Sequence, residues 1–475
     1  MFIIMATTVT TTTAEPVLPN EGGQKKPLLQ EYDLPLREKD MPPVIRHVVG
    51  NAPPNRKVAA FIASLAPLCA LATRIRIKYF YDTRISALLL HVIIEGPQSS
   101  GKSFAADIED LIMRDTLKAR DKEQRRKEQI YREKKKRRSQ NKQLEEEPKT
   151  DIRVVPPTIS KTVLVKRADN FERNLGDTVS FWMFAEELAM VTDAGKQGYS
   201  NLRTIMRTGW DLGSLFGIDF ASDNSYSAIV DINICCMFCS TPAALDRYMD
   251  RESIEGGNIT RCLLCPIDDN LDSEPAIFKP YTDEQNLDIK LTLKKIMDDT
   301  YTADGQLQPT RKLEMEWIDS VVIRWCNKKK KQAKETQSEA IKTFYRRSSA
   351  TAFRVAALCY YLYQLEDSDE ELLPLYQKRC IRIYHFMADY TLTQLLNRWG
   401  NRYEQLNAER QSDGYTTKRD NSLIAQLPDE FTRKQISQTC EKLGLTTSPR
   451  QFIYMWTQNG TVRAIDKNHF AKIKN

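Results

Sequence analysis

The octapeptide Gly96-Pro97-Gln98-Ser99-Ser100-Gly101-Lys102-Ser103 constrains this chain more than any other stretch. It fits G-x-x-x-x-G-K-[ST], in which backbone N–H groups and a helix N-terminus cradle phosphate oxygens. The flanks agree. Residues 87–95 (ALLLHVIIE) are a continuous apolar run with β-branched residues, as a buried parallel strand requires. After Ser103, FAADIEDLIMRD carries apolar residues at helical spacing. All eight loop residues are expected to bind ATP. Lys102 is expected to reach the β- and γ-phosphates and Ser103 to hold Mg²⁺.

A hydrolase built on such a loop needs one acid near the metal and one to orient or deprotonate water. Residues 179–187 (VSFWMFAEE) end an apolar run in paired carboxylates. Glu186 is assigned to the metal shell and Glu187 to the water. Shifting the register by one would make Glu186 the catalytic acid. A third apolar run, 229–240, ends in Ser240-Thr241-Pro242. There Thr241 could meet the γ-phosphate or water, or simply cap the next helix. Residues 217–232 suggest a hairpin with its turn at 222–225. Arg261, just before a fourth strand, could act as an arginine finger on a neighbouring subunit. Arg354, on an apolar helix face, is either a second nucleotide sensor or the partner of a carboxylate.

At 475 residues and 41% apolar content, the chain has room for several cores. No apolar run approaches the ~20 residues of a membrane span, and MFIIMA is too short for a signal-peptide core. A cytoplasmic protein without membrane partners is expected. The ten cysteines lie mostly in apolar runs and read as reduced core thiols. Cys236-x-x-Cys239 and Cys262-x-x-Cys265 have zinc-ribbon spacing, but lack the turn between thiols that a ribbon needs.

The net charge of +7 is unevenly spread. Residues 118–138 hold twelve basic and four acidic side chains. They read as a solvated helix or coil projecting from the core, able to touch nucleic acid through charge alone. The alternating run RIRIKY (74–79) reads as a strand with a basic face. The expected organisation is a disordered segment 1–40, a helix-and-strand extension 41–86 with its helix at 55–72, a nucleotide-binding core 87–270 with an insertion at 118–150, a helical domain 271–415 and a winged helix 416–475. In the last, Thr432 caps one helix, Ser448 and Pro449 start another, and TVRAI and HFAKI form the wing. Arg450, Gln451, Tyr454 and Lys467 are the expected DNA contacts.

GPQSSGKS after ALLLHVIIE, FWMFAEEL, the CSTP strand end and ITRCLLCP occur together. Over roughly residues 40–370 the chain resembles a P-loop family of bacterial mobile genetic elements and phages, helicase-like or primase-associated, akin to AAA+ and superfamily III helicases. The resemblance implies an α/β P-loop NTPase, AAA+-like, with a parallel sheet, a charged helical insertion, a helical domain and a C-terminal winged helix. It implies an ATPase and DNA helicase using ATP and Mg²⁺ on single- or double-stranded DNA. A homo-oligomeric ring and a separate primase follow from the same likeness. On this likeness Lys102 and Ser103 match the P-loop, Glu186–Glu187 the second Walker motif, Ser240/Thr241 sensor one, Arg261 the arginine finger, and 217–232 a DNA-gripping hairpin, here with Asp223, Asn224 and Tyr226 instead of a basic tip. The alternatives are an initiator in which ATP is an assembly switch, and a small-molecule P-loop kinase.

Overall fold

The apolar runs 87–95 and 179–187 and the part of 229–240 from Asn233 each give one strand of a single sheet, while residues 229–231 pair in a separate hairpin; the computed structural model describes residues 36–82, 84–137, 146–191, 202–219, 226–268, 276–366, 369–415, 423–442, 449–458, 461–466 and 468–473. The chain divides into two units, Met1–Gly400 and Asn401–Asn475. In the first, four strands pair in parallel: β1 (His91–Glu95), β2 (Ser180–Ala185), β3 (Asn233–Ser240) and β4 (Cys262–Pro266). Their order is β2-β3-β1-β4. Residues 153–155 add a parallel rung outside β2, through the Val154 bridge to Trp182. Every residue of β3 is buried, as a strand covered on both faces must be.

One cover is the helix Lys57–Leu71, buried at every position after Lys57. It packs on β1, β2, β3 and the helix Phe104–Met113. Residues expected as an N-terminal extension are therefore a layer of the core. A helix that is apolar all round belongs in such a place. The helix Leu373–Leu395 packs on β4 and pairs with the helix Glu339–Glu366. The segments expected as separate extension, core and helical domains thus share one unit up to Gly400.

One charge expectation changes. The strand Ile75–Ile77 has no basic face: Arg74 and Arg76 are buried. Arg74 pairs with Asp177 at 2.8 Å, and Arg76 donates to the Thr73 carbonyl at 2.7 Å. The ten cysteines are unpaired and buried. The two Cys-x-x-Cys pairs lie on β3 and β4, with β1 between them. Two strand spacings, about 10 Å, keep them from a common zinc, so the thiols pack in the core.

The hairpin forms from Leu215–Ile218 and Ala228–Asp231, which pair antiparallel. Its tip, including Asp223 and Asn224, lies outside the described residues. Tyr226 donates to Asp169. The basic insertion is the helix Ala119–Lys136, on which Asp121 is the single buried residue. Up to Glu128, which pairs with Arg167 at 3.1 Å, one side of the helix is tied to the core; the residues after it are largely exposed, as the solvated-helix expectation has it.

The second unit has a three-stranded antiparallel sheet in which His469–Lys472 lies between Glu430–Thr432 and Val462–Ala464. The two strands expected at 461–473 are joined by a third, Glu430–Thr432. Thr432 Oγ1 accepts from Gln435 N at 3.3 Å, and Gln435 Oε1 accepts from Thr432 N at 2.8 Å, a reciprocal cap for the helix Arg433–Lys442. The helix Pro449–Gln458 begins at the expected proline. Phe431, Ile436, Phe452, Trp456 and Phe470 form this unit's core.

Asp121 roots the basic helix. Its Oδ2 accepts from the Arg153 and Val154 amides. Burial pushes its carboxyl from 3.8 up to about 6, against those amides and the Arg153 charge. A raised acid contributes stability that is complete below the unfolded value and lost as pH rises through the folded one. The wild-type advantage over Asp121→Asn should therefore shrink by about 2 kcal/mol between pH 4 and pH 7. Urea unfolding of both proteins across that range tests it; a constant difference would refute the assignment.

Candidate functional site

Residues 96–103 cross from the C-terminal end of β1 to the helix Phe104–Met113. The backbone takes a tight path. Ser99 has φ 64° and Gly101 φ 73°, both left-handed. Gly96 N donates to the Ser240 carbonyl at 3.0 Å, which ties the loop to the end of β3. Gly96 is needed for space: a Cβ there would stand 2.5 Å from Ile267 Cγ1 and 2.6 Å from Ser100 Oγ. Gly101 is needed for conformation, since a Cβ there would meet nothing within 4 Å.

Lys102 folds over the loop. Its Nζ donates to the Gly96 carbonyl at 2.9 Å and the Pro97 carbonyl at 2.5 Å. Ser103 is exposed at the helix start, and its hydroxyl makes no capping bond. Glu186 and Glu187 follow β2 directly and are exposed. Leu188 N donates to the Cys239 carbonyl at 2.8 Å, which brings the chain after the acids back against β3. The Cys239 thiol is pushed up to about 12 by burial, with Lys102 lowering it and Glu186 raising it. The Lys102 loop and the acids thus emerge on the two sides of the end of β3.

Thr241 caps. Its Oγ1 accepts from Ala244 N at 3.3 Å. Ser240 is buried and donates to the Thr241 carbonyl at 2.9 Å. Arg261 lies apart from the loop. Cys262 is in register with His91, so Arg261 sits at the N-terminal edge of the sheet while Gly96 leaves the C-terminal edge. Four strand residues span roughly 13 Å. Burial first, then neighbouring Arg347 and Arg207, push its guanidinium down to about 10, against the pull of Asp211. Its Nη1 donates to the Gly257 carbonyl at 3.0 Å. Arg354 takes the carboxylate-pairing role: it meets Asp211 at 3.4 Å and donates to the Leu89 and Trp210 carbonyls.

Three site residues were missed by the sequence reading: Glu95, Arg398 and Arg56. Glu95 ends β1 and is buried, and burial raises its carboxyl against the pull of Arg398. Arg398 joins Glu95 at 3.0 Å and Asp246 at 2.7 Å. Arg56, also buried, donates to the Ser100 carbonyl at 3.1 Å and the Asp268 carbonyl at 3.2 Å. Glu95 alone had a signal, as an acid closing an apolar run before Gly96. Of the expected DNA contacts, Arg450 is exposed on the helix Pro449–Gln458. The Gln451 and Tyr454 side chains and Lys467 lie outside the described residues.

Among the described residues, no group of three or more His, Cys, Asp or Glu could hold a metal ion, and no helix is long and apolar enough to cross a membrane. A Mg²⁺ held mainly by phosphate oxygens needs only one or two protein ligands. No protein-family model and no curated protein matches the chain.

Gly96→Ala should lower stability by about 1–3 kcal/mol through overpacking. Gly101→Ala should cost about 1–2 kcal/mol through φ alone. Denaturant unfolding without nucleotide measures both. A Gly96→Ala protein as stable as wild type would show that Ile267 yields freely.

Proposed function

We propose that the chain is an ATP-hydrolysing, DNA-binding, helicase-like protein that works as a homo-oligomeric ring. The observation that carries this reading is the convergence at one sheet edge. A glycine-bent G-x-x-x-x-G-K-S loop leaves β1, two exposed carboxylates leave β2, and the strand between them is tied to both, through Ser240 to Gly96 and through Cys239 to Leu188.

The donors suit a nucleoside triphosphate. Lys102 Nζ rests on neutral loop oxygens, which a phosphate oxygen would outcompete by charge. The unused Ser103 hydroxyl and Glu186 would hold Mg²⁺, which supplies neutralisation of phosphate charge. Glu187 orients and deprotonates the attacking water. Lys102 stabilises charge that builds on the transferred phosphoryl group. Arg56 and Arg398 brace the loop and its strand, so less freedom is lost when ligand binds.

Arg261 lies at the edge opposite its own loop, so in a ring its guanidinium would serve a neighbouring subunit's nucleotide. The second unit is read as a winged helix, with Arg450, Gln451, Tyr454 and Lys467 facing DNA. The exposed basic helix Ala119–Lys136 adds a salt-sensitive contact.

Lys102→Ala should reduce ATP turnover roughly a hundredfold or more while leaving the fold intact. Glu187→Gln should still bind ATP but turn it over at a similarly reduced rate. A steady-state phosphate-release assay, with circular dichroism as the folding control, reads both. Normal turnover by the Lys102 variant would defeat the enzyme reading.

A mixing experiment tests the shared site. Arg261→Ala and Lys102→Ala should each be inactive alone. Mixed, they should recover part of the activity, because some interfaces join an intact loop to an intact arginine. No recovery, with subunit exchange shown separately, would remove Arg261 from catalysis.

A further inference from the structure

A cavity of about 570 Å³ lies at the other edge of the sheet from the phosphate loop. It is formed by the turn after Ile77, the loop at Trp210 and the helix Glu339–Glu366. Arg354 lines it while donating to the Leu89 carbonyl, two residues before β1 begins. Seven residues of extended chain, roughly 20 Å, separate Leu89 from Gly96. One bound nucleotide cannot span both places.

The wall combines guanidinium groups with aromatic rings. The Arg354 guanidinium stacks 3.5 Å above the Trp210 ring, and Arg347 lies 4.8 Å from it. Arg84 and Arg346 complete a set of four arginines in the lining, against only Asp82 and Asp211. Asp211 already faces two of them, Arg347 at 3.5 Å and Arg354 at 3.4 Å. Arg84 and Arg346 are exposed and have no ion pair among the described residues. Four clustered cations with one committed counter-charge leave a positive field in a concave site, where such fields are focused. Tyr81, 52% exposed, stands beside Phe80 at 3.9 Å between ring centroids, and offers a face for stacking. The Trp210 indole N–H is buried there without an acceptor among the described residues. The volume falls within the range of small-ligand sites, about 300–1,000 Å³.

We infer that this cavity is a second nucleotide site, independent of the Lys102 loop, in which Arg84 and Arg346 hold a phosphate and Tyr81 stacks on the attached base. Arginine forks match phosphate geometry, and aromatic faces accept any base. The ligand chemistry is a nucleoside phosphate, supplied either as a free nucleotide or as one unit of a single strand.

The test uses the full chain with Lys102→Ala throughout, so that the phosphate loop contributes nothing. Fluorescence anisotropy gives dissociation constants for a labelled adenosine monophosphate and for a short labelled oligothymidylate. Adding Arg84→Glu with Arg346→Glu should weaken one probe roughly tenfold or more. Tyr81→Ala should weaken the same probe by about fivefold or more. Loss with the mononucleotide assigns the free ligand; loss with the strand alone assigns nucleic acid. Charge reversal at Lys330 and Lys331, on the exposed face of another helix, should change neither. Unchanged binding of both probes, or equal loss from the Lys330/Lys331 control, would overturn the site. Binding is measured here and turnover above, so either reading can fail without the other.

Discussion

The pairing of β3 with both β1 and β2 is the constraint on which the first unit depends. Parallel strands present all their C-terminal ends at one edge, and register decides which residues meet there. Glu95 lies beside Ser240, and Ala185 beside Phe238. The loop after Glu95 and the acids after Ala185 therefore emerge on either side of one central strand. About 10 Å between β1 and β2 leaves space for a phosphate group between Lys102 and the carboxylates. Shifting any of these strands by one residue would exchange its two packed faces and move Glu95 or Ala185 away from its partner at this edge.

A buried guanidinium secures the far side of this sheet. Arg153 is wholly enclosed. It donates to the Ser180 carbonyl at 2.8 Å, to the Tyr301 hydroxyl at 3.1 Å and to the Ala70 carbonyl. One side chain thereby joins the start of β2, the end of the helix Lys57–Leu71 and the residue after the helix Asp283–Thr300. Charge this deep is tolerated only when its donors are satisfied. The neighbouring Asp121 anchors the basic helix to the same place, so a solvated projection has a rigid root. The two edges of the sheet then differ in character. One offers a glycine-bent loop with carboxylates; the other gathers Arg261, Arg347 and Arg354 around Asp211.

Much of this was legible in the residues. The strands announce themselves because burial on both faces demands uninterrupted apolar runs. The loop is legible because its glycines have distinct physical duties, space at Gly96 and positive φ at Gly101. Thr432 and Pro449 mark helix starts through local capping chemistry. The basic helix Ala119–Lys136 is legible because so charged a segment has no apolar stripe to bury. Arg74 and Arg76 were misleading for a related reason. Alternation with Ile75 and Ile77 suggests one wet face, but Asp177 and the Thr73 carbonyl, supplied by the fold, satisfy both arginines inside.

What the sequence alone determined is local: a phosphate-loop pattern between a strand and a helix, paired acids closing another strand, and thiols confined to the core. Each rests on residues within one turn or one strand of each other. Tertiary structure decided what depends on distance. It put β3 between the loop and the acids, turned the segment 57–71 into a core layer, and brought Arg56 and Arg398 to the loop from residues far away in the chain. It also set Arg261 at the edge opposite Gly96 and drew Arg84, Arg346 and Trp210 into one cavity. No periodicity encodes such meetings, because they follow from strand order and helix packing, which arise only when the whole core closes.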